Sequence, residues 1–329
     1  MELWGGSSKA CPTILGKGQE RVRGFWAFPT VDILRKRKRL REALVAYSFI
    51  APWMIGFFLF TGGPIIASFI LSFFKWRMIE PPSFVGLDNY ANLFLRDPLF
   101  PQSLKVTGLY VLIAIPAGQV LALTLAILLN QRIRFLSFWR SLFYLPSVVS
   151  GVAVTVLWLW MYDPNYGLIN HLLQMMGLPS VNWLYSEKWS LPALMIKSLW
   201  GVGGSMVIYL AGLQGVPQEL YEAAQIDGAG DRNTFFHITL PMLSPVIFFN
   251  LVMGIILGIQ TFTEPYLMTG GGPSNTTLFL GLYLYQAAFH FLKMGYAAAM
   301  AWIMFLIILA VTLLQFKAGE RWVYYEVAE

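Results

Sequence analysis

The sequence carries a single cysteine, Cys11, and three histidines, His171, His237 and His290, in 329 residues. One thiol closes no intramolecular disulfide and builds no multi-cysteine metal site. The histidines are far apart in the chain, and no cluster of His, Cys and carboxylate has the spacing of a metal site. Each histidine is therefore expected to be structural, with no metal. Charge is scarce too, at 12% of residues, about half the roughly 25% of a soluble domain. A Gly-x-x-x-x-Gly-Lys-Ser/Thr loop is missing, so the chain has no Walker cradle for nucleotide phosphates. Asp227 and Asp231 are spaced like an acid–base pair, but their place in a turn between two helices gives both a capping explanation. No catalytic residue is expected.

What the chain has instead is apolar surface: 57% hydrophobic residues and a mean hydropathy of +0.60. This is more than a soluble core of this size buries, and a bilayer is its natural solvent. Six apolar stretches, near 44–74, 106–130, 141–161, 191–215, 242–264 and 295–316, each reach the roughly 20 residues that cross about 30 Å of hydrocarbon. The fold class is thus all-α, a polytopic membrane protein of six transmembrane helices. The first stretch is overlong and contains Pro52, Gly56 and Gly62-Gly63-Pro64, which predicts a tilted or kinked helix. The N-terminal 34 residues show no clear periodicity, and order is not expected there. No internal repeat is evident, nor the inverted pair of interrupted spans that marks many secondary transporters.

The net charge of +6 is unevenly placed. Arg35-Lys36-Arg37-Lys38-Arg39 and Arg41 sit directly before the first span, as a membrane anchor does, rather than in a nucleic-acid patch. The basic run precedes a span too long for a cleaved signal peptide. Segments 1–43, 131–140, 216–241 and 317–329 hold sixteen Lys and Arg, against six in 75–105, 162–190 and 265–294. The positive-inside bias places both termini in the cytoplasm. Trp158, Trp160, Tyr162, Trp183, Tyr185 and Trp189 flank the opposite ends, where interfacial aromatics belong.

The loop between the fourth and fifth spans, 216–241, differs from the others. Pro217 suits a first helical turn. Glu219 and Glu222 share a helical face near the positive end of the dipole. Gly228 can stop the helix in a left-handed conformation, Asp231 suits the N-cap of a second helix, and Pro241 opens the fifth span. Ala223 and Ala224 offer little bulk, so another protein's backbone can come close. A cytosolic helical finger between two spans suits mechanical coupling, and an ordinary amphipathic loop has the same pattern.

Glu222-Ala223-Ala224, three residues, Gly228, nine residues, Ile238, one residue and Leu240-Pro241 matches the EAA motif of ABC importer permeases. Phe84-Val-Gly-Leu-Asp-Asn-Tyr90 with Asp97-Pro98, Tyr144-Leu-Pro-Ser147, Asp163-Pro-Asn-Tyr-Gly-Leu-Ile-Asn170, Leu210-Ala-Gly-Leu-Gln214 and Thr269-Gly-Gly-Gly-Pro273 narrow it further. Over about 44–316 the chain resembles the MalF-type subunit of carbohydrate importers, related to the maltose and glycerol-3-phosphate permeases. The basic N-terminal extension is not covered.

That resemblance implies a type I ABC importer permease fold in a prokaryotic cytoplasmic (inner) membrane. It divides the chain into a cytoplasmic segment 1–43, a six-span domain 44–316 and a cytoplasmic tail 317–329. The coupling residues it implies are Glu222, Ala223, Ala224, Asp227, Gly228, Ile238, Leu240 and Pro241, docking on a separate ATPase dimer that holds ATP and Mg. A second permease subunit, an extracytoplasmic binding protein, a sugar or sugar derivative and membrane lipid complete the expected partners, with no cofactor on this chain and no nucleic acid.

For the substrate path, Gly254, Gly258 and Thr261 share one face of the fifth span, with Gln260 and Glu264 near its end. Polar side chains there must face protein or water. Trp200, Gly201 and Ser205 mark the fourth span. Small residues four apart equally describe a helix-packing seam, and Trp200 either stacks on a sugar or fills space. A permease for a non-sugar solute remains an alternative. An ion-coupled secondary transporter needs charges at mid-membrane, and only Lys197, at a span's start, and Glu264, near an end, qualify.

With Cys11 replaced, single cysteines at positions 30 and 325 are expected to resist an impermeant thiol reagent added to intact cells. Cysteines at 90, 175 and 275 should label, and labelling of 30 or 325 would overturn the topology.

Overall fold

The computed structural model describes residues 30–131 and 133–324, with side chains from residue 41 onward. The chain divides between Ile65 and Ile66 into two compact units. In the first, helix α1 (Thr30–Phe57) takes in the basic run and runs through Pro52. Residues 30–34, expected without order, are its first turn; residues 1–29 lie outside the described part. The expected irregularity is a π-helical turn at Phe58–Gly62, where a wider turn shifts the helical register. Helix α2 (Gly63–Leu71) carries on across the boundary.

The second unit begins with a small antiparallel ladder, β1 (Phe74–Lys75) and β2 (Ser83–Phe84). Helix α3 (Asp88–Leu95) follows, then the long α4 (Leu99–Leu129). The third apolar stretch is not one rod but α5 (Leu136–Val148) and α6 (Gly151–Met161), bent by 98°. Val149 and Ser150 take extended backbone between them, which ends the helical hydrogen bonding. After α7 (Leu168–Met175), the fourth stretch is also broken, into α8 (Ser190–Trp200) and α9 (Gly203–Gly215) at 45°. The break falls in Gly201-Val202-Gly203-Gly204, where glycines weaken the helix. The fifth stretch spans α13 (Ser244–Ile259) and α14 (Thr263–Met268), preceded by α10 (Gln218–Ile226), α11 (Asp231–Thr234) and α12 (Leu240–Met242). Helices α15 (Leu280–Tyr285) and α16 (Met294–Gly319) close the chain.

Among the described residues, four helical segments are long and apolar enough to span a membrane: Arg41–Leu71, Leu99–Leu129, Ser244–Met268 and Met294–Gly319. The two bent pairs bring this to six if each pair is one crossing. Helix α4 is the post of the second unit, packed on α8, α9, α13 and α15. It contributes Tyr110, Val111 and Ala114 to one apolar cluster and Ala122, Ala126 and Leu129 to another. Phe49 and Phe60 are 81% exposed and Leu112 73%. Water does not tolerate such continuous apolar surface, and lipid or a partner chain does.

Several of the loop residues quoted above are folding devices. Asn89 donates from Nδ2 to the carbonyls of Ser72 (2.8 Å) and Phe74 (2.9 Å). Asn170 donates to Pro164 and Val181 and accepts from the Val181 amide and the Trp183 indole. Tyr162 donates to the Ala193 carbonyl at 2.8 Å. The start of α16 lies against β1 so closely that a Cβ on Gly295 would fall 1.8 Å from the Phe74 carbonyl oxygen. Backbone cannot yield there as a flexible side chain does. Gly295→Ala is therefore expected to cost about 3 kcal/mol, the upper end for overpacking. A lowered melting temperature of the purified protein checks this, with Gly108→Ala, which meets nothing within 4 Å, as the comparison.

Candidate functional site

The 216–241 loop folds as a capped finger. Pro217 is extended and sits at the N-cap of α10, one residue earlier than a first-turn proline. At the other end Gly228 has φ +74°. The Ala229 amide donates to the Ala224 carbonyl (2.9 Å) and the Gly228 amide to the Gln225 carbonyl (3.1 Å). Together these bonds form a Schellman termination, which needs a left-handed residue at the Gly228 position. The expectation that Asp231 caps the next helix is corrected: the cap residue is Gly230, without a side-chain bond, and Asp231 is the first residue of α11. Its carboxylate still meets the positive end of the helix. A π-helical turn, Phe235–Thr239, joins α11 to α12, so Ile238 lies inside it. Leu240 and Pro241 start the short helix that leads into α13.

Two features close the finger on the turn that leads into the fifth span. Ala224 is buried, and the Tyr221 hydroxyl lies 3.1 Å from the Thr239 hydroxyl. Glu222, Ala223, Asp227 and Gly228 are left exposed at the surface. Among the described residues the Glu222 carboxylate has no ion-pair partner. Ile226, unremarked in the sequence, is 87% exposed beside them. A carboxylate, a small-residue notch and a bare isoleucine make a surface suited to a protein partner.

The interior residues separate into two groups. A Cβ on Gly254 would lie 2.9 Å from Ile115, and one on Gly258 3.1 Å from Ile115 and Val111. Both glycines therefore let α13 pack closely on α4, which is the packing-seam pattern that their spacing also described. Trp200 stacks edge-on to Trp158 at 5.8 Å and lines an apolar cavity with Leu121 and Phe143. Gly201 caps the broken end of α8. Ser205 lies in the first turn of α9, half-buried, while Gln260 is exposed at the end of α13 and Thr261 follows it in the break.

The strongest interior interaction was not foreseen. Lys197 Nζ lies 2.8 Å from Glu264 Oε1, with the lysine side chain 7% and the glutamate side chain 32% exposed. Lys197 is in the last turn of α8, eight residues into its span rather than at its start. Glu264 is in the first turn of α14, after the break in the fifth span. A lone charge of each sign in two apolar spans was the available signal, since such charges pair with one another. A second polar chain crosses the bundle: Tyr209 donates to Gln119 (2.8 Å), and Gln119 donates to the Asn250 carbonyl (3.3 Å).

Against this geometry the comparisons are decisive. Residues 114–322 match the family described as the binding-protein-dependent transport system inner membrane component. The chain belongs to that family. A permease-family relative, the probable ABC transporter permease protein YesP of Bacillus subtilis, is 43% identical over 303 residues, covering 91% of this chain and 98% of that protein. The trehalose/maltose transport system permease protein MalF of Thermococcus litoralis is 32% identical over 292 residues, 87% of this chain and 97% of that one. A bacterial ABC transporter that imports the acidic polysaccharide alginate has a subunit of the same fold, with a TM-score of 0.75 at 24% identity over 87% of this chain and 99% of that one. The family is one of membrane transport components, and the chain is a multi-pass permease rather than an enzyme.

Removing one partner of a buried pair strands the other charge, at about 3–5 kcal/mol. Lys197→Met and Glu264→Gln are each expected to lower stability by that order, and the double variant to recover most of it. Detergent-unfolding midpoints of the four proteins check this, and additive losses would show the two side chains to be independent.

Proposed function

We propose that the chain is one permease subunit of an ATP-driven importer for a sugar or sugar derivative delivered by an extracytoplasmic binding protein. The carrying observation is the finger. Glu222 and Ala223 stand exposed, with Ala224 buried beneath them, on a helix that is stopped by a left-handed glycine and tied to the base of the fifth span. A separate ATPase dimer, which holds ATP and Mg, docks on Glu222, Ala223 and Gly228, with Asp227 beside them. Ala224, Ile238, Leu240 and Pro241 serve as the internal framework that transmits the movement. A second, similar permease completes the pore.

Sugar is favoured because relatives such as the trehalose/maltose permease align along nearly their whole length. The orientation follows the basic-residue bias: 1–43 and 317–329 lie in the cytoplasm, flanking the membrane domain 44–316, and the finger enters the cytosol. The pathway is best drawn past Glu264, Gln260, Thr261 and Ser205, with Trp200 and Gly201 at the break in the fourth span. Lys197 neutralises Glu264, so this pair gives an ion-coupled mechanism no free mid-membrane charge.

A side chain at Gly228 must adopt a left-handed backbone at about 1–2 kcal/mol, and proline also deletes the amide that bonds Gln225. Gly228→Pro and Glu222→Lys are expected to insert normally yet abolish substrate-stimulated ATP hydrolysis by the reconstituted complex. Gly228→Ala should be milder. Asp231→Asn and Asn233→Ala should change little. Full stimulation in both severe variants would remove the coupling role from this loop.

A further inference from the structure

Segments 75–105, 162–190 and 265–294 together hold six Lys and Arg. Four of them, Lys75, Arg77, Arg96 and Lys293, line one cavity of about 620 Å³. It lies at the N-terminal end of α4, beside Pro98 and Leu99. The finger's Tyr221 and Gln225 instead share a cleft with Asn130 and Gln131, just beyond the C-terminal end of α4. The two sites are thus about 45 Å apart along a 31-residue helix at 1.5 Å per residue.

The cations are held together against their own repulsion. Arg77 and Lys293 pair through an isolated antiparallel bridge, which sends both side chains to the same side. Like charges directly opposite one another are destabilising. Among the described residues neither has a carboxylate partner, and Lys75 has none either.

Two carboxylates reach the cavity, and both are engaged. Asp88 lies 3.5 Å from Arg96. Asp97 accepts the hydroxyls of Tyr283 and Tyr296 on Oδ2 and the Leu99 amide on Oδ1. Burial, and then the Asp97 bond, push the Tyr283 hydroxyl above the ordinary tyrosine range, so it stays a donor. An aromatic wall stands beside the cations: the Lys293 ammonium is 6.0 Å from the ring centres of both Phe291 and Tyr296. The volume falls within the range of small-molecule sites.

We propose that this cavity binds a small organic anion, with its carboxylate, sulfonate or phosphate between Arg77 and Lys293 and a sugar-sized polar body against the aromatic wall. Such a ligand relieves the unmatched Arg77–Lys293 contact. Two sources carry this chemistry: a free acidic saccharide, and the glycerophosphate headgroup of an anionic lipid. The second is within reach because Lys75 follows α2 by four residues and Lys293 directly precedes α16. The site does not depend on the coupling role of the finger.

The test uses the full chain, purified with its partner subunits in nanodiscs. In phosphatidylcholine discs, galacturonate is titrated by calorimetry with galactose as the neutral comparison. In discs of mixed phosphatidylcholine and phosphatidylglycerol, retained lipid is counted by native mass spectrometry. Binding of galacturonate and not galactose assigns a free saccharide, and selective retention of phosphatidylglycerol alone assigns a headgroup. In either case affinity should fall at least tenfold in Arg77→Gln/Lys293→Gln and remain unchanged in Lys188→Gln, whose cation lies outside the cavity. Removing the like-charge contact should leave the melting temperature unchanged or raised, and the single Lys293→Gln serves if the double variant is lost. The proposal is overturned if neither anion binds, if neutral compounds bind equally, or if the folded variants bind as the wild type does.

Discussion

Hydrocarbon offers backbone amides and carbonyls nothing to bond with, and the layout of this chain follows from that. Helices satisfy these groups internally, so interruptions are tolerated only where protein or a water-lined space receives the freed groups. The described interruptions are few: the bend at Val149-Ser150, the glycine-rich joint at Gly201-Val202 and the break at Gln260–Phe262. Two of these three flank the Lys197–Glu264 pair, which ties the fourth and fifth spans together where their helices are least continuous. Interrupted backbone and buried charge share one locality because both need the same thing, an interior shielded from lipid.

Much of this was legible in the sequence, for reasons of scale. Hydropathy over twenty residues averages out local detail, so all six apolar stretches coincide with helices. The stop at Gly228 was legible because a left-handed position favours one residue type. The bends in the third and fourth stretches were not. Composition records how apolar a segment is and is silent on its direction, and Pro146 stays within α5 while the chain turns after it. Asp231 was misplaced by one residue because Gly230 supplies the cap conformation without a side chain.

At the candidate site the division follows range. Spacing within one helix located the finger and the glycine seam of the fifth span. It left open whether the seam faced a path or a neighbour, which depends on Ile115, more than a hundred residues away. Lys197 and Glu264 were each noticed and never joined, and Asp97 was read as part of a motif with no hint of its two tyrosines. Pairing across the bundle is a property of tertiary packing, and one sequence carries it only as a list of charges that must find partners.

With the coupling role proposed for the finger, the clasp between Tyr221 and Thr239 would make the finger and the fifth span a lever with one short arm and one long one. Helix α13 runs 16 residues from the clasp end, about 24 Å at 1.5 Å per residue. A tilt of about 10° at the base would swing its far end by about 4 Å, more than a hydrogen bond can stretch. Glu264 sits just beyond that far end, joined to Lys197 at 2.8 Å. Any such swing must therefore drag α8, the first half of the fourth span, along or part the two charges, so the ion pair sets how far one span can travel without the other.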